Sequence, residues 1–146
     1  MMEIRQLTYE DLDWVEKIEI SNFTLPWSKG SFLSSMEQDN TIYLAAMEGR
    51  KGIGYCGLLK VLDEGEITNV SVDQKYQGKG TGYLMLLELI RQASLKGVTT
   101  FHLEVRKSNT RALSLYKRLG FWQVGVRKDF YEKPREDGIL MRMDRI

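Results

Sequence analysis

Gln77-Gly78-Lys79-Gly80-Thr81-Gly82 is the stretch on which the fold turns. It follows a β-rich segment, Glu66–Val72, and precedes a helical pattern running to about Lys96. Glycines in such a stretch let backbone N–H groups approach a ligand with no Cβ in the way. A helix start adds unpaired donors and partial positive charge. Two readings follow: a turn with helix-start glycines, or a cradle for a phosphate or pyrophosphate. The dinucleotide fingerprint G-x-G-x-x-G fails, because Tyr83 or Met85 falls at its last position. The P-loop pattern fails too, with Asp73 at its first glycine and Gly80 where Ser or Thr belongs. The pattern [Q/R]-x-x-G-x-[G/A] fits, through Gln77, Gly80 and Gly82.

Downstream of the glycines, Tyr83, Leu86, Leu87 and Ile90 are spaced as one helix face, and Gly97 ends that helix. Thr100–Arg106 alternates: Phe101, Leu103 and Val105 face one way, and His102 and Glu104 the other. Ser108 is the expected cap of a further helix with the stripe Ala112, Leu115, Tyr116 and Leu119, closed by Gly120. Phe121–Tyr131 and Ile139–Ile146 read as the last strands. Upstream, Glu3–Leu7 reads as a strand, and Thr8 with Asp11 as a capping box. Leu12, Val15, Ile18 and Phe23 form that helix's apolar side. Pro26 breaks it, and Ser28 caps a short helix to about Met36. Thr41–Met47, Ile53–Leu62 and Glu66–Val72 form an antiparallel meander, with Asp63-Glu64-Gly65 as a hairpin turn. The order β-α-α-β-β-β-α-β-α-β-β makes an α/β fold, a mixed sheet with helices on its faces.

The 146 residues fit one domain, 1–146, and 42% of them are hydrophobic. A net charge of +1 lacks the basic excess of a general nucleic-acid binder. No apolar run approaches the roughly 18 residues of a membrane span, and acidic residues stand where a signal peptide would be apolar. A cytoplasmic protein is the expectation. Cys56 and His102 are the only residues of their kinds, so neither an intrachain disulfide nor a zinc site is expected.

On pattern alone, the chemistry-bearing side chains have two readings each. Glu104 is a solvent-facing strand glutamate or a base; Tyr116 is a core tyrosine or an acid. Asn109 supports a cap or bonds a ligand. Trp27 and Tyr131 are core or rim aromatics, or walls of a groove. Lys75 and Lys79 solvate the surface or meet phosphates. Cys56, inside an apolar strand, reads as a buried inert thiol, and His102 as a surface histidine.

Further segments stand in a recognisable order with the glycine stretch: Leu25-Pro26-Trp27-Ser28, Thr68–Val72, Leu103-Glu104-Val105-Arg106-Lys107-Ser108-Asn109, Ala112-Leu113, Leu115-Tyr116 and Leu119-Gly120-Phe121. With them the chain resembles the GNAT superfamily of N-acetyltransferases, and within it the ribosomal-protein-alanine N-acetyltransferases. The resemblance implies a mostly antiparallel sheet of six to seven strands with four helices, in which two parallel strands splay apart to form the acetyl-CoA site. It implies acetyl-CoA as donor; no metal is expected, and a monomer or weak dimer is the expectation for the assembly. It implies that Val70, Ser71 and Val72 present main-chain groups to the acetyl and pantetheine portions. Gln77, Gly78, Lys79, Gly80, Thr81 and Gly82 would hold the pyrophosphate, and Asn109 would bond the cofactor. Glu104 would be the general base, Tyr116 the general acid, and Trp27 and Tyr131 walls of the acceptor groove. The implied acceptor is the N-terminal alanine of a small-subunit ribosomal protein. The chain departs from the family pattern in two places. His102 stands where an aromatic residue is common, and Phe130-Tyr131 is followed by Glu132-Lys133-Pro134 rather than directly by proline.

Overall fold

Apolar residues on both faces of a strand require cover on both sides, and β2 (Thr41–Glu48) has them. Its Ile42, Leu44 and Ala46 join one core, and Tyr43, Ala45 and Met47 join another on the opposite face. In the computed structural model, which describes residues 2–145, helices cover both faces accordingly. The chain runs β1 (Met2–Gln6), α1 (Leu12–Asn22), α2 (Lys29–Met36), β2, β3 (Lys51–Val61), β4 (Glu64–Val72), α3 (Thr81–Leu95), β5 (Thr100–Arg106), α4 (Thr110–Leu119), β6 (Trp122–Tyr131) and β7 (Glu136–Asp144). The seven strands form one sheet in the order β1-β2-β3-β4-β5-β7-β6. β4 and β5 pair in parallel, and the other neighbours are antiparallel. One face packs against α3 and α4 through Met85, Leu86, Leu89, Phe101 and Leu103. The other packs against α1 and α2 through Leu12, Val15, Phe32 and Tyr55.

The predicted elements all form, with local corrections. Glu64 is a strand residue, because the β3–β4 turn needs only Leu62 and Asp63, and Leu62 takes φ 57° to close it. On α3 the buried face is Thr81, Met85, Leu86, Leu89, Ile90 and Ala93, so the expected Tyr83 and Leu87 turn away from the sheet. Apolar residues surround that helix, which leaves its rotation undetermined by pattern. Phe23 lies past the end of α1 and is exposed; the buried Glu19 takes its place on the inner face. The cap of α4 is Asn109 rather than Ser108, since the Asn109 Oδ1 accepts the Ala112 N–H at 3.1 Å. Asp11 does accept the Thr8 amide at 2.8 Å, but a single 3₁₀ turn, Tyr9–Asp11, intervenes before α1. Ser28 caps α2 as expected, accepting from the Ser31 amide at 3.1 Å. The strand expected over Ile139–Ile146 begins earlier, at Glu136, and Ile146 lies outside the described residues.

Asp11 anchors the first helix to the first strand. Its carboxylate takes both Arg5 guanidinium nitrogens, at 2.7 and 2.9 Å, and the Trp14 indole N–H at 3.0 Å. Burial alone would raise its pKa, but the hydrogen bonds from Arg5, Thr8 and Trp14 outweigh burial and hold it down at about 2. A folded-state pKa below the unfolded value stabilises above the unfolded pKa and is lost as pH falls through the folded one. Stability measured by thermal melting should therefore decline between about pH 4 and pH 2. Asp11→Asn should lower the melting temperature at pH 7 and flatten part of that acid decline; an unchanged slope would remove Asp11 as its source.

Candidate active site

β4 and β5 pair over only three positions: Glu64 with Thr100, Gly65 with Phe101, and Glu66 with His102. Beyond Glu66 the two strands separate. Thr68 explains where this happens. Gly57 of β3 pairs with Asn69, while the next residue, Leu58, pairs with Ile67, so Thr68 is an extra residue in β4. Such a bulge bends its strand and ends regular pairing. The bent strand is then held by side chains. Tyr43 donates to Asn69 Oδ1 at 3.2 Å, and Thr68 donates to the same atom at 2.7 Å. Asn22 on α1 donates to Ser71 Oγ at 2.6 Å and to the Val72 carbonyl at 2.9 Å.

The gap exposes main-chain groups. The Asp73 amide donates back to Ile53 of β3 at 2.8 Å. Strand alternation therefore turns the N–H groups of Val72 and Val70 the other way, into the gap, while Ser71 bonds toward β3. The Val72 carbonyl agrees with this, since it accepts from Gln77 Nε2 at 3.0 Å and from Asn22 instead of from β3.

The glycine stretch closes one end of the gap. Gln77 is clamped there, bonded to Val72 through Nε2 and receiving Arg111 Nη1 at Oε1 at 2.9 Å. Gly78 and Gly80 take φ of 78° and 86°, in the left-handed region that glycine alone enters without strain. The first backbone bond of α3 is from Leu84 to the Gly80 carbonyl at 3.1 Å. Among the described residues, the amides of Gly78, Lys79, Gly80, Thr81, Gly82 and Tyr83 donate to no protein acceptor. Consecutive free amides at a helix N-terminus suit a diphosphate. Gly82 is small for a different reason: a Cβ there would lie 3.2 Å from Leu115, so it lets α4 approach α3. Lys79 lies 5.6 Å from the centre of the Tyr76 ring, with Lys51 at 5.3 Å.

Glu104 and Tyr116 belong to opposite faces of the sheet. Phe101, Leu103 and Val105 belong to the α3–α4 core, which puts His102, Glu104 and Arg106 on the α1–α2 face. Glu104 Oε2 is buried and has no hydrogen-bond partner among the described residues, while Oε1 lies 3.6 Å from Arg127. Tyr131 bounds the same spot. A Cβ on Gly138 would fall 3.0 Å from Glu104 Oε2, 3.3 Å from the Tyr131 ring and 3.4 Å from the Phe130 ring. Burial, then the charge of Glu104, raises the Tyr131 phenol above its ordinary value. Tyr116 sits in the α3–α4 core, edge-on to Phe121 at 5.9 Å. Burial pushes its phenol well up, with smaller contributions from Tyr131 and from Cys56 beside β4. Among the described residues nothing hydrogen-bonds its hydroxyl.

The remaining candidates divide. Asn109 Oδ1 is occupied by the cap of α4. Trp27 is half-buried beside Phe32 at 5.2 Å, and its amide donates to the buried Glu19 at 2.9 Å. Cys56 is buried, and burial pushes its thiol far up, as expected for an inert residue. His102 is a surface residue bonded to Glu64 at 2.7 Å. Sequence reading missed Gly138, Arg111 and the Glu19–Tyr55 pair, in which the Tyr55 hydroxyl donates to the Glu19 carboxylate. The Asp137-Gly138 doublet was the one available signal, since glycine inside a strand often marks a close approach. A separate cavity of about 280 Å³, lined by Leu113, Lys117, Val126 and Ile139 among others, includes no residue of the gap. No described helix is long and apolar enough to cross a membrane, and no group of metal-ligating side chains occurs among the described residues.

Residues 4–121 match the acetyltransferase (GNAT) family. The [ribosomal protein bS18]-alanine N-acetyltransferase of Haemophilus influenzae is 38% identical over 144 residues, covering 97% of each chain. That of Escherichia coli K12 is 34% identical over 145 residues, covering 98% of this chain and 97% of the relative. The crystal structure of the ribosomal-protein-S18-alanine N-acetyltransferase from Escherichia coli superposes with a TM-score of 0.92, over 99% of this chain and 94% of that one. A splayed parallel pair, a run of free amides at its end and this likeness agree: the chain belongs to the acetyltransferase (GNAT) family and is an N-acetyltransferase whose acetyl donor is acetyl-CoA.

Proposed function

We propose that the acceptor is the α-amine of a protein N-terminus, namely the terminal alanine that the names of its relatives specify on ribosomal protein bS18. The observation that carries this reading is the buried Glu104 Oε2 on the part of β5 beyond the β4 pairing, beside Tyr131 and without a partner among the described residues. Every other buried side-chain polar atom among the described residues finds a partner except Ser94 Oγ. An unpaired buried carboxylate oxygen is costly, and a site that receives an ammonium group explains it.

In this reading the amides of residues 78–83 hold the pyrophosphate of acetyl-CoA, and Gln77 fixes the loop that carries them. Ser71 holds β4 in place through Asn22, while the N–H groups of Val70 and Val72 face the pantetheine and acetyl portions in the gap. Asn109, with its Oδ1 committed to the helix cap, has its Nδ2 for the cofactor. Trp27 and Tyr131 stand on the α1–α2 face as walls for the acceptor peptide.

A protein α-ammonium has a pKa near 7.7–8.0 and is mostly charged at neutral pH. Glu104 accepts its proton, directly or through one water. The free amine then attacks the thioester carbonyl, so a C–N bond forms and the C–S bond breaks. The Val70 N–H stabilises the oxyanion that develops between those events. Tyr116 keeps its proton at neutral pH because burial raises its phenol, and it donates that proton to the leaving sulfur. The second amine proton restores Tyr116, and Glu104 releases the first to solvent.

Glu104→Gln should cut turnover of an alanine-initiated peptide by about 10²–10⁴-fold while calorimetry finds acetyl-CoA affinity nearly unchanged. Unchanged turnover would remove Glu104 from the mechanism. Gly138→Ala should displace the Glu104 carboxylate by a few tenths of an ångström. We expect turnover several-fold lower, about 10-fold at most, with a melting temperature close to wild type. Full activity in that variant would show that the Gly138 contact does not set the base.

A further inference from the structure

Arg106 lies two residues beyond Glu104 on the same face of β5, and its side chain ties the β6–β7 turn to that strand. Its guanidinium donates to the carbonyls of Pro134 and Glu132, each at 2.9 Å, and to the Glu136 carboxylate at 3.0 Å. The same group stacks over the Tyr131 ring, 4.5 Å from its centre. Glu136 completes the joint by accepting from the Ser108 amide at 3.1 Å and the Ser108 hydroxyl at 3.0 Å. The turn has little regular pairing of its own. β6 and β7 are in register at Arg127 with Gly138, then lose it until Tyr131 meets Glu136. Asp129 and Lys133 take φ of 53° and 52°, which side chains rarely adopt. The ring of Tyr131 at the edge of the Glu104 site therefore depends on a side chain of another strand.

We propose that Arg106 is a positioning residue for the acceptor: it fixes the Glu132–Arg135 turn to β5 and so sets where Tyr131 stands beside Glu104. This rests on the reading of that side of the gap as the acceptor end. The planar, forked guanidinium is what the job requires. It meets two carbonyls and a carboxylate while its face lies on an aromatic ring. A lysine ammonium could satisfy one or two of these partners and could not stack in the same way. Arg106 does not touch the reacting atoms; it acts through Tyr131 and the turn. The donor end of the gap is built by β4, α3 and the start of α4, which the Arg106 guanidinium meets only through Glu136 and Ser108, so acetyl-CoA affinity depends on it far less than peptide affinity does.

The test uses the full chain with Arg106→Lys and Arg106→Gln. Steady-state kinetics are run with an alanine-initiated peptide and acetyl-CoA, alongside hydrogen exchange of the amides in residues 130–136. Both variants should raise the KM for the peptide by about ten- to a hundredfold, because a misplacement of order 1 Å has that effect. The KM for acetyl-CoA should stay within about twofold, and kcat should fall less than the peptide KM rises. Exchange in residues 130–136 should quicken while that of α3 holds. An unchanged peptide KM in Arg106→Lys would overturn the proposal, as would an equal rise in both KM values. A wild-type protein that acetylates no peptide would contradict the proposed function instead. Exchange then decides on Arg106 alone: quickened exchange in the turn supports its role, and unaltered exchange removes it.

Discussion

Parallel neighbours normally continue their ladder, because each unpaired backbone group left away from water costs free energy. β4 and β5 stop after Glu66 and His102, and the groups thus released form the walls of the site. The bulge at Thr68 supplies the bend, and substitutes for the lost ladder are already in place on the β4 side. Gln77 and Asn22 take the Val72 carbonyl, Asn22 also takes Ser71, and Tyr43 with Thr68 takes Asn69. What is left over is donors: the N–H groups of Val70 and Val72, and the amides before α3. A slot rimmed with unmatched N–H groups is complementary to a chain of carbonyl and phosphate oxygens.

The two faces of the sheet contribute different chemistry to that slot. On the α3–α4 face the surroundings are apolar, and Tyr116 is held there with its phenol pushed toward the protonated form by burial. On the α1–α2 face a polar network runs beneath the surface. Glu19 bonds the Tyr55 hydroxyl and the Trp27 amide, which ties the α1–α2 connection to β3. Burial and the charge of Glu19 both press the Tyr55 phenol to stay protonated, so the pair acts as a fixed donor and acceptor. Such satisfied buried groups position a rigid frame. Glu104, with one oxygen left without a partner among the described residues, is the contrast on the same face. Arg106 and Glu136 carry the frame around to the far wall, where Tyr131 stands.

Much of this was legible because the governing signals are local. Glycines at a strand–helix junction, alternation along Thr100–Arg106 and the stripe of α4 each depend on residues a few positions apart. The parts that were not legible are of two kinds. Some choices were degenerate: Ser108 and Asn109 are both good caps, and α3 carries leucines around its circumference, so its rotation was set by the sheet it meets. Other features join distant residues. Thr68 carries no mark of a bulge, because β-branched residues are ordinary in strands and the bend depends on what β3 opposes to it. Glu19 with Tyr55, and Arg106 with Glu136, are charged or polar residues that pattern reading assigns to solvent, and only the fold brings them together. The roles proposed for Glu104 and Tyr116 likewise rest on family likeness, since a strand glutamate and a stripe tyrosine are common in any α/β protein.

In the proposed mechanism, the gap between β4 and β5, with the turn before α3, receives acetyl-CoA. Nitrogen-15-labelled protein titrated with coenzyme A and followed amide by amide tests it most directly. The largest shifts should fall on Val70, Val72 and residues 78–83, with β1 and the outer edge of β6 nearly still. Shifts confined to the cavity between α4 and the β6–β7 hairpin, or no shifts at millimolar ligand, would contradict the account.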